Sequence, residues 1–463
     1  MAMNHPRFRR YVLGAAALAA IASLANCATT DILPKRTVYV PNKANAMCVS
    51  TRDDSCDKHL FTMVSEASEK SNAVRLAFIE FDDQGYLQSD HYKDAILGEI
   101  GKLVDRPLLI VVFAHGWKHS ADANDANVRD FTDALKYIAA LDKRQCSDGS
   151  PDDSGCHNRE VVGVYLGWRG LSSKYEPFKG LSFWERKSRA HRVGIDGATE
   201  VIAQLGAIKA ESNRRQGARR SRLVLTGHSF GAAVVYSATQ QLLMRDTYFP
   251  DPDGAIPPST ADLIILVNPA FEAARFHSLH LRAAKMSFSQ KQRPILAIFS
   301  AKTDDATGTL FHIGRGLSTI LMPHTADSED TPAHSPRFQR QENITAVGKY
   351  DKWTTHILKG ISPPQKGQKP AKTLHSLACG WLAFQYGDAE TWELDATSFS
   401  RFKAPGTGHA MEDGQQRNPY MLVRVEDAVI HEHSGIWKSE FSQFLYDLIA
   451  VQAAPFNLNC QSQ

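Results

Sequence analysis

Arg222-Leu223-Val224-Leu225-Thr226-Gly227-His228-Ser229-Phe230-Gly231-Ala232-Ala233-Val234-Val235-Tyr236-Ser237-Ala238 is the most informative segment of this 463-residue chain. Its first five residues form a short apolar, β-branched run of the kind that makes a buried strand. Its last seven are small enough to open a helix lying close against a sheet. Between them stands Gly-x-Ser-x-Gly. Strand, tight turn and helix in that order is the setting in which this string lifts a serine hydroxyl above a sheet edge. Gly227 and Gly231 fit because so sharp a turn leaves no room for side chains. The string alone is a weak signal and needs partners elsewhere in the chain.

Along the rest of the chain, apolar runs alternate with helical patterns. The strands expected are Ala73–Phe81, Leu108–Ala114, Val161–Leu166, Leu223–Thr226, Leu263–Val267, Ile295–Phe299 and Met421–Ile430. Helices are expected around His91–Leu103, Asn127–Leu141, Phe183–Asn213, Ala232–Met244 and Ile436–Val451. This alternation predicts an α/β fold, a mostly parallel central sheet with helices on both faces. One interval breaks the rhythm: residues 310–418 carry scattered Pro, Gly, Lys and Ser. So long a stretch is poorly explained as a loop, and it is expected to be an inserted subdomain or flap before the last strand.

Three further features line up behind the serine. The strand ending at Ala114 is followed by His115-Gly116-Trp117, the strand ending at Phe299 leads to Asp304-Asp305, and Met421–Ile430 runs into His431-Glu432-His433. Nucleophile, acid and histidine in that chain order, each after a strand, resemble the serine α/β-hydrolase superfamily. The resemblance spans residues 73–451 with the insert between, and is specific for the superfamily only. It implies an α/β-hydrolase fold in residues 73–463, with Ser229 as nucleophile and His433 as its base. His433 is preferred because His-x-Gly-Ile before the last helix matches the usual terminal motif, His431 being its neighbour. Asp304 is preferred over Asp305 as the carboxylate that orients the imidazole. The oxyanion hole would use the amides of Phe230 and Trp117, with His115 and Gly116 shaping the second donor's loop.

The N-terminus has the pattern of an export signal. Arg7, Arg9 and Arg10 precede an apolar run, Val12–Ala25, that is short for a membrane span. Residues 1–27 end in Leu24-Ala25-Asn26-Cys27, which resembles the lipobox of bacterial lipoproteins and would make Cys27 a lipid-bearing membrane anchor. The alternative is an ordinary cleaved signal with an incidental cysteine. Residues 28–72 then form a tether and a lead-in. Six cysteines remain. Cys48/Cys56 and Cys146/Cys156 each bracket a short polar segment suited to a disulfide loop, which leaves Cys379 with Cys460. An exported protein at the periplasm or outer membrane is expected.

A formal charge of +3 over 463 residues gives no ground for nucleic-acid binding. No nucleotide, flavin or zinc-spaced motif is present, so no cofactor and no metal is implied. An exported hydrolase of this resemblance implies a small-molecule or lipid ester as substrate, cleaved by an esterase or lipase. An amidase, peptidase or acyltransferase would use the same residues, and a non-catalytic binding module would keep only the scaffold. Trp117, Trp168, Phe230 and Phe311 would suit an acyl chain or else the core. Arg169, Arg186 and His119 would bind a polar group or else cover the surface.

Overall fold

The computed structural model describes residues 62–454 apart from segments 69–70, 123, 145–158, 169–178, 218–219, 253, 258–259, 290–291, 320–321, 323–334, 363–373 and 404–416. Residue 460 and a pair of two-residue strands, Val38–Tyr39 and Met47–Cys48, are also described. The expected signal 1–27, Cys27, Cys56, Cys146, Cys156 and Arg169 lie outside the described residues, as does the side chain of Cys48.

Eleven strands make one sheet: β1 Thr62–Ser65, β2 Val74–Glu80, β3 Leu108–Ala114, β4 Glu160–Gly167, β5 Arg222–His228, β6 Leu263–Val267, β7 Leu296–Ala301, β8 His356–Gly360, β9 Thr391–Glu393, β10 Thr397–Arg401 and β11 Tyr420–Val425. Their order across the sheet is β1-β2-β4-β3-β5-β6-β7-β11-β8-β10-β9. Strands β2 to β8 in that order are mutually parallel. Only β1 at one edge and β10 and β9 at the other run antiparallel to their neighbours.

All seven residues of β3 are buried, because the sheet is covered on both sides. Leu108, Ile110, Val112 and Ala114 feed one core, Leu109, Val111 and Phe113 the other. The first core is closed by α1 Asp90–Gly101, α3 Lys179–Val193, α4 Thr199–Gln216 and α5 Phe230–Asp246. The second is closed by α2 Ala126–Arg144 and the last helix, Ser439–Ala453, here α10. Each fully buried Val, Leu, Ile or Phe contributes about 1.5–3 kcal/mol, so these two layers dominate the stability of the sheet.

The expected long helix from Phe183 is interrupted. A π-helical turn, Gly194–Ala198, joins α3 to α4. A Cβ on Gly194 would stand 2.5 Å from the Val234 carbonyl oxygen of α5, so the wide turn sits where two helix backbones nearly touch. The last strand also stops at Val425, five residues short of the expected end, where Glu426 takes up a turn that Val429 and Ile430 close with their amides.

Helix α6 is His277–Ala283, and within residues 310–418 lie α7 Phe311–Ser318, α8 Pro336–Ile344 and α9 Leu374–Tyr386, together with β8, β9 and β10. The three strands continue the central sheet beyond β11. Cys379 on α9 and Cys460 form a disulfide across a sequence separation of 81. A crosslink over that span is worth about 4 kcal/mol in the chain-entropy account. Among the described residues no helix is long and apolar enough to cross a membrane.

Candidate active site

Strand order locates the site. β3 lies between β4 and β5; its following helix α2 covers one face, while α5 after β5 covers the other. Connections that leave neighbouring strands in opposite directions open a crevice at their carboxyl ends. His115-Gly116-Trp117 ends one of those strands and Ser229 the other.

Ser229 sits between β5 and α5 with φ 55° and ψ −116°, a left-handed backbone that side-chain-bearing residues rarely adopt. Such strain costs on the order of 1–3 kcal/mol and is held by its surroundings. The Ser229 amide donates to the Val267 carbonyl at 2.9 Å, and the Ala270 amide donates to the Ser229 carbonyl at 3.1 Å. A Cβ on Gly231 would stand 2.0 Å from the Ala114 carbonyl oxygen, and one on Gly227 would stand 2.6 Å from the Gly231 oxygen. Gly231→Ala is therefore expected to destabilise the fold by about 3 kcal/mol or more, since backbone and not a flexible side chain must yield. Urea unfolding checks this; a parental midpoint would mean that α5 crosses β3 less closely.

The serine hydroxyl lies 2.7 Å from His433 Nε2, and His433 Nδ1 lies 2.9 Å from Asp304 Oδ1. With Nδ1–H donating to the carboxylate, Nε2 presents its lone pair to the Ser229 hydroxyl. Asp304 is 1% exposed. Its Oδ1 also accepts the Thr307 amide at 3.1 Å, and its Oδ2 accepts the Thr307 hydroxyl. Burial works against its ionisation, but the bonds from His433 and Thr307 outweigh burial and hold the carboxyl below its usual range. Asp305 is exposed. His431 is turned away, on Asp427. The structure thus brings together Ser229, Asp304 and His433 from the ends of three parallel strands.

Phe230 opens α5, directly after the serine, where helix amides and the dipole favour negative charge. On the facing loop, a Cβ at Gly116 would stand 3.0 Å from both Ser229 Cβ and His228 Nδ1, so Trp117 follows a backbone pressed against the serine. His115 is fully buried. Its Nε2 accepts the Trp168 amide at 3.1 Å, so Nδ1 carries the hydrogen and donates to the Gly116 carbonyl at 2.9 Å. Burial pushes its pKa down to about 4, which makes it a neutral link between two loops.

The aromatic residues divide. Trp168, Phe230 and Phe311 are core, and Trp117 packs against that core while still partly exposed. Arg186 is buried in an ion pair with Asp83, away from any free surface role, and His119 bonds to Asp125 at 3.0 Å.

Two residues at the site have roles that no motif signals: Asn268, and His228, which fills a variable place in the Gly-x-Ser-x-Gly string. His228 Nε2 donates to the His433 carbonyl at 2.9 Å, and Asn268 Nδ2 donates to the same oxygen at 2.9 Å. Burial, with His433 beside it, pushes the His228 pKa down to about 3, so it is a neutral donor. The only advance signal for Asn268 was its place at the end of an apolar strand.

No protein-family model matches the chain, and no curated protein matches its sequence. Among solved structures, the chain is similar to phospholipase PlaB from Legionella pneumophila in complex with thio-NAD. The identity is 14% and the TM-score 0.22, covering 56% of this chain and 47% of that one. The chain thus spans about half the length of that protein.

Proposed function

We propose that this protein is a serine hydrolase that cleaves carboxylic esters through an acyl-enzyme. The observation that carries the reading is the continuous chain from Asp304 Oδ1 through His433 to Ser229 Oγ, at 2.9 and 2.7 Å. In the first step His433 Nε2 takes the hydroxyl proton as Ser229 Oγ bonds to the ester carbonyl carbon. The amides of Phe230 and Trp117 receive the oxyanion. His433 returns the proton to the leaving alcohol as its C–O bond breaks, and a water molecule repeats the sequence to release the acid. Asp304 holds the imidazole in the required tautomer throughout.

The test is labelling with a fluorophosphonate, followed by rates on p-nitrophenyl esters of graded acyl length. Covalent modification at Ser229 and turnover of at least one ester are expected. A rate rising with acyl length would identify a lipase. Labelling without ester turnover would move the assignment to amides or peptides, and no labelling would leave a binding module on a hydrolase scaffold.

The same proposal puts the enzyme outside the cytoplasm, anchored to a membrane through lipid on Cys27. Its support is the Arg7-to-Ala25 pattern and the Cys379–Cys460 disulfide, which an oxidising compartment preserves.

A further inference from the structure

A single buried side chain touches the mounts of two of the three candidate catalytic groups, and the backbone of its chain neighbours holds the third. Asn268 follows β6 and is 0% exposed. Its Nδ2 donates to the His433 carbonyl at 2.9 Å, and its Oδ1 accepts the Ala301 amide at 2.8 Å, three residues before Asp304. Its own amide donates to the Phe299 carbonyl at 2.8 Å. The residue before it, Val267, accepts the Ser229 amide, and Ala270 donates to the Ser229 carbonyl. The ends of β5, β7 and β11 are therefore all tied to one segment, Val267–Ala270.

The residue type suits the task. An amide joins a donor and an acceptor in one rigid plane, and the two neighbours need one of each: a carbonyl oxygen on His433 and an N–H on Ala301. Asn268 also has φ 46°, in the left-handed region that asparagine tolerates better than most residues. On the far side of the contact Glu432 has φ 62°, so the peptide entering His433 is itself in a strained turn and needs holding. His228 supplies the second donor to the same carbonyl from the strand that carries Ser229.

We propose that Asn268 is a positioning residue that sets the distance between Ser229 Oγ and His433 Nε2 by fixing the loop of His433 against the end of β6. The inference rests on the hydrolase reading above and adds the residue that keeps its parts in register. Asn268→Asp is the sharpest variant. It keeps an acceptor for Ala301 but turns an oxygen toward the His433 carbonyl, where two acceptors repel each other. A displacement of about 1 Å at a reacting pair costs about 10²-fold in rate. The expected result is a fall of about that size in kcat on an activated ester, with KM unchanged. Fluorophosphonate labelling of Ser229 should slow by a similar factor, and the urea midpoint and near-ultraviolet circular dichroism should stay those of a folded protein.

Asn268→Ser, too short to reach His433, is expected to show the same split between kcat and KM. Parental labelling and kcat in a folded Asp or Ser variant would overturn the proposal. Failure of both variants to fold would also overturn it, making Asn268 a structural residue. If the parent protein itself were not labelled at Ser229, the hydrolase reading would fall instead, a result distinct from either.

Discussion

Ser229→Ala is expected to lower kcat on an activated ester by about 10⁴–10⁶-fold while leaving the fold intact. The loss is large because in the proposed mechanism the hydroxyl is the attacking group, and no other described nucleophile lies on His433 Nε2 at 2.7 Å. The fold should survive because the contacts that hold this turn are backbone ones, from Ser229 to Val267 and from Ala270 to Ser229. Alanine keeps both. His433 loses one hydrogen bond, but its side chain is 20% exposed and water can replace the hydroxyl. Alanine also keeps the backbone strain at φ 55°, whereas glycine at 229 removes it. Ser229→Gly should therefore be as inactive as Ser229→Ala yet more stable, by about 1 kcal/mol. Initial rates and urea midpoints on the three proteins check both statements. An alanine variant that turns over the ester at the parental rate ends the assignment of Ser229 as nucleophile.

What could be read in advance divides along the range of the interactions. β3, β5, β6 and β7 were legible because each is a continuous apolar run, and burial on both faces demands that pattern. The turn at Ser229 was legible because its glycines answer local crowding. Asp304 and His433 were legible by position, each a few residues past a strand in a fixed order. Asn268 and His228 were not, since their contacts to His433 span 165 and 205 residues and leave no local pattern. Nor were β8, β9 and β10. They are strands of three to five residues at the sheet edge, and they mix exposed Lys359, Thr391 and Glu393 with buried Leu358, Trp392 and Phe399. Their apolar content is too thin to separate from a loop. The π-turn at Gly194–Ala198 was hidden for a related reason: a glycine in a helical pattern marks close packing without saying what it packs against.

Asp304→Asn is expected to lower kcat by about 10⁴-fold with little change in the packing around it. The carboxylate now accepts three hydrogen bonds: one from His433 Nδ1–H and two from Thr307. An asparagine in the same place has one oxygen and one NH2 group. If its oxygen stays on the Thr307 hydroxyl, its NH2 takes the place of Oδ1 and faces Nδ1, and the imidazole must take the tautomer with its hydrogen on Nε2. That hydrogen points at Ser229, and the imidazole has no lone pair left with which to take the serine proton that the proposed mechanism requires. Stability should respond as well, with a definite sign. The folded state holds the Asp304 carboxyl below its usual range, so the unfolded chain binds its proton more readily. The carboxylate thus contributes stability above the unfolded pKa, near 3.8, and that contribution is lost as pH falls through the folded value. The difference in urea midpoint between parent and Asp304→Asn should be largest near neutral pH and shrink below about pH 4. Asp305→Asn is the control, since Asp305 is exposed and the carboxylate described as accepting from His433 Nδ1 is that of Asp304. Its rate should match the parent. Loss of activity in Asp305→Asn with a fully active Asp304→Asn would reassign the acid.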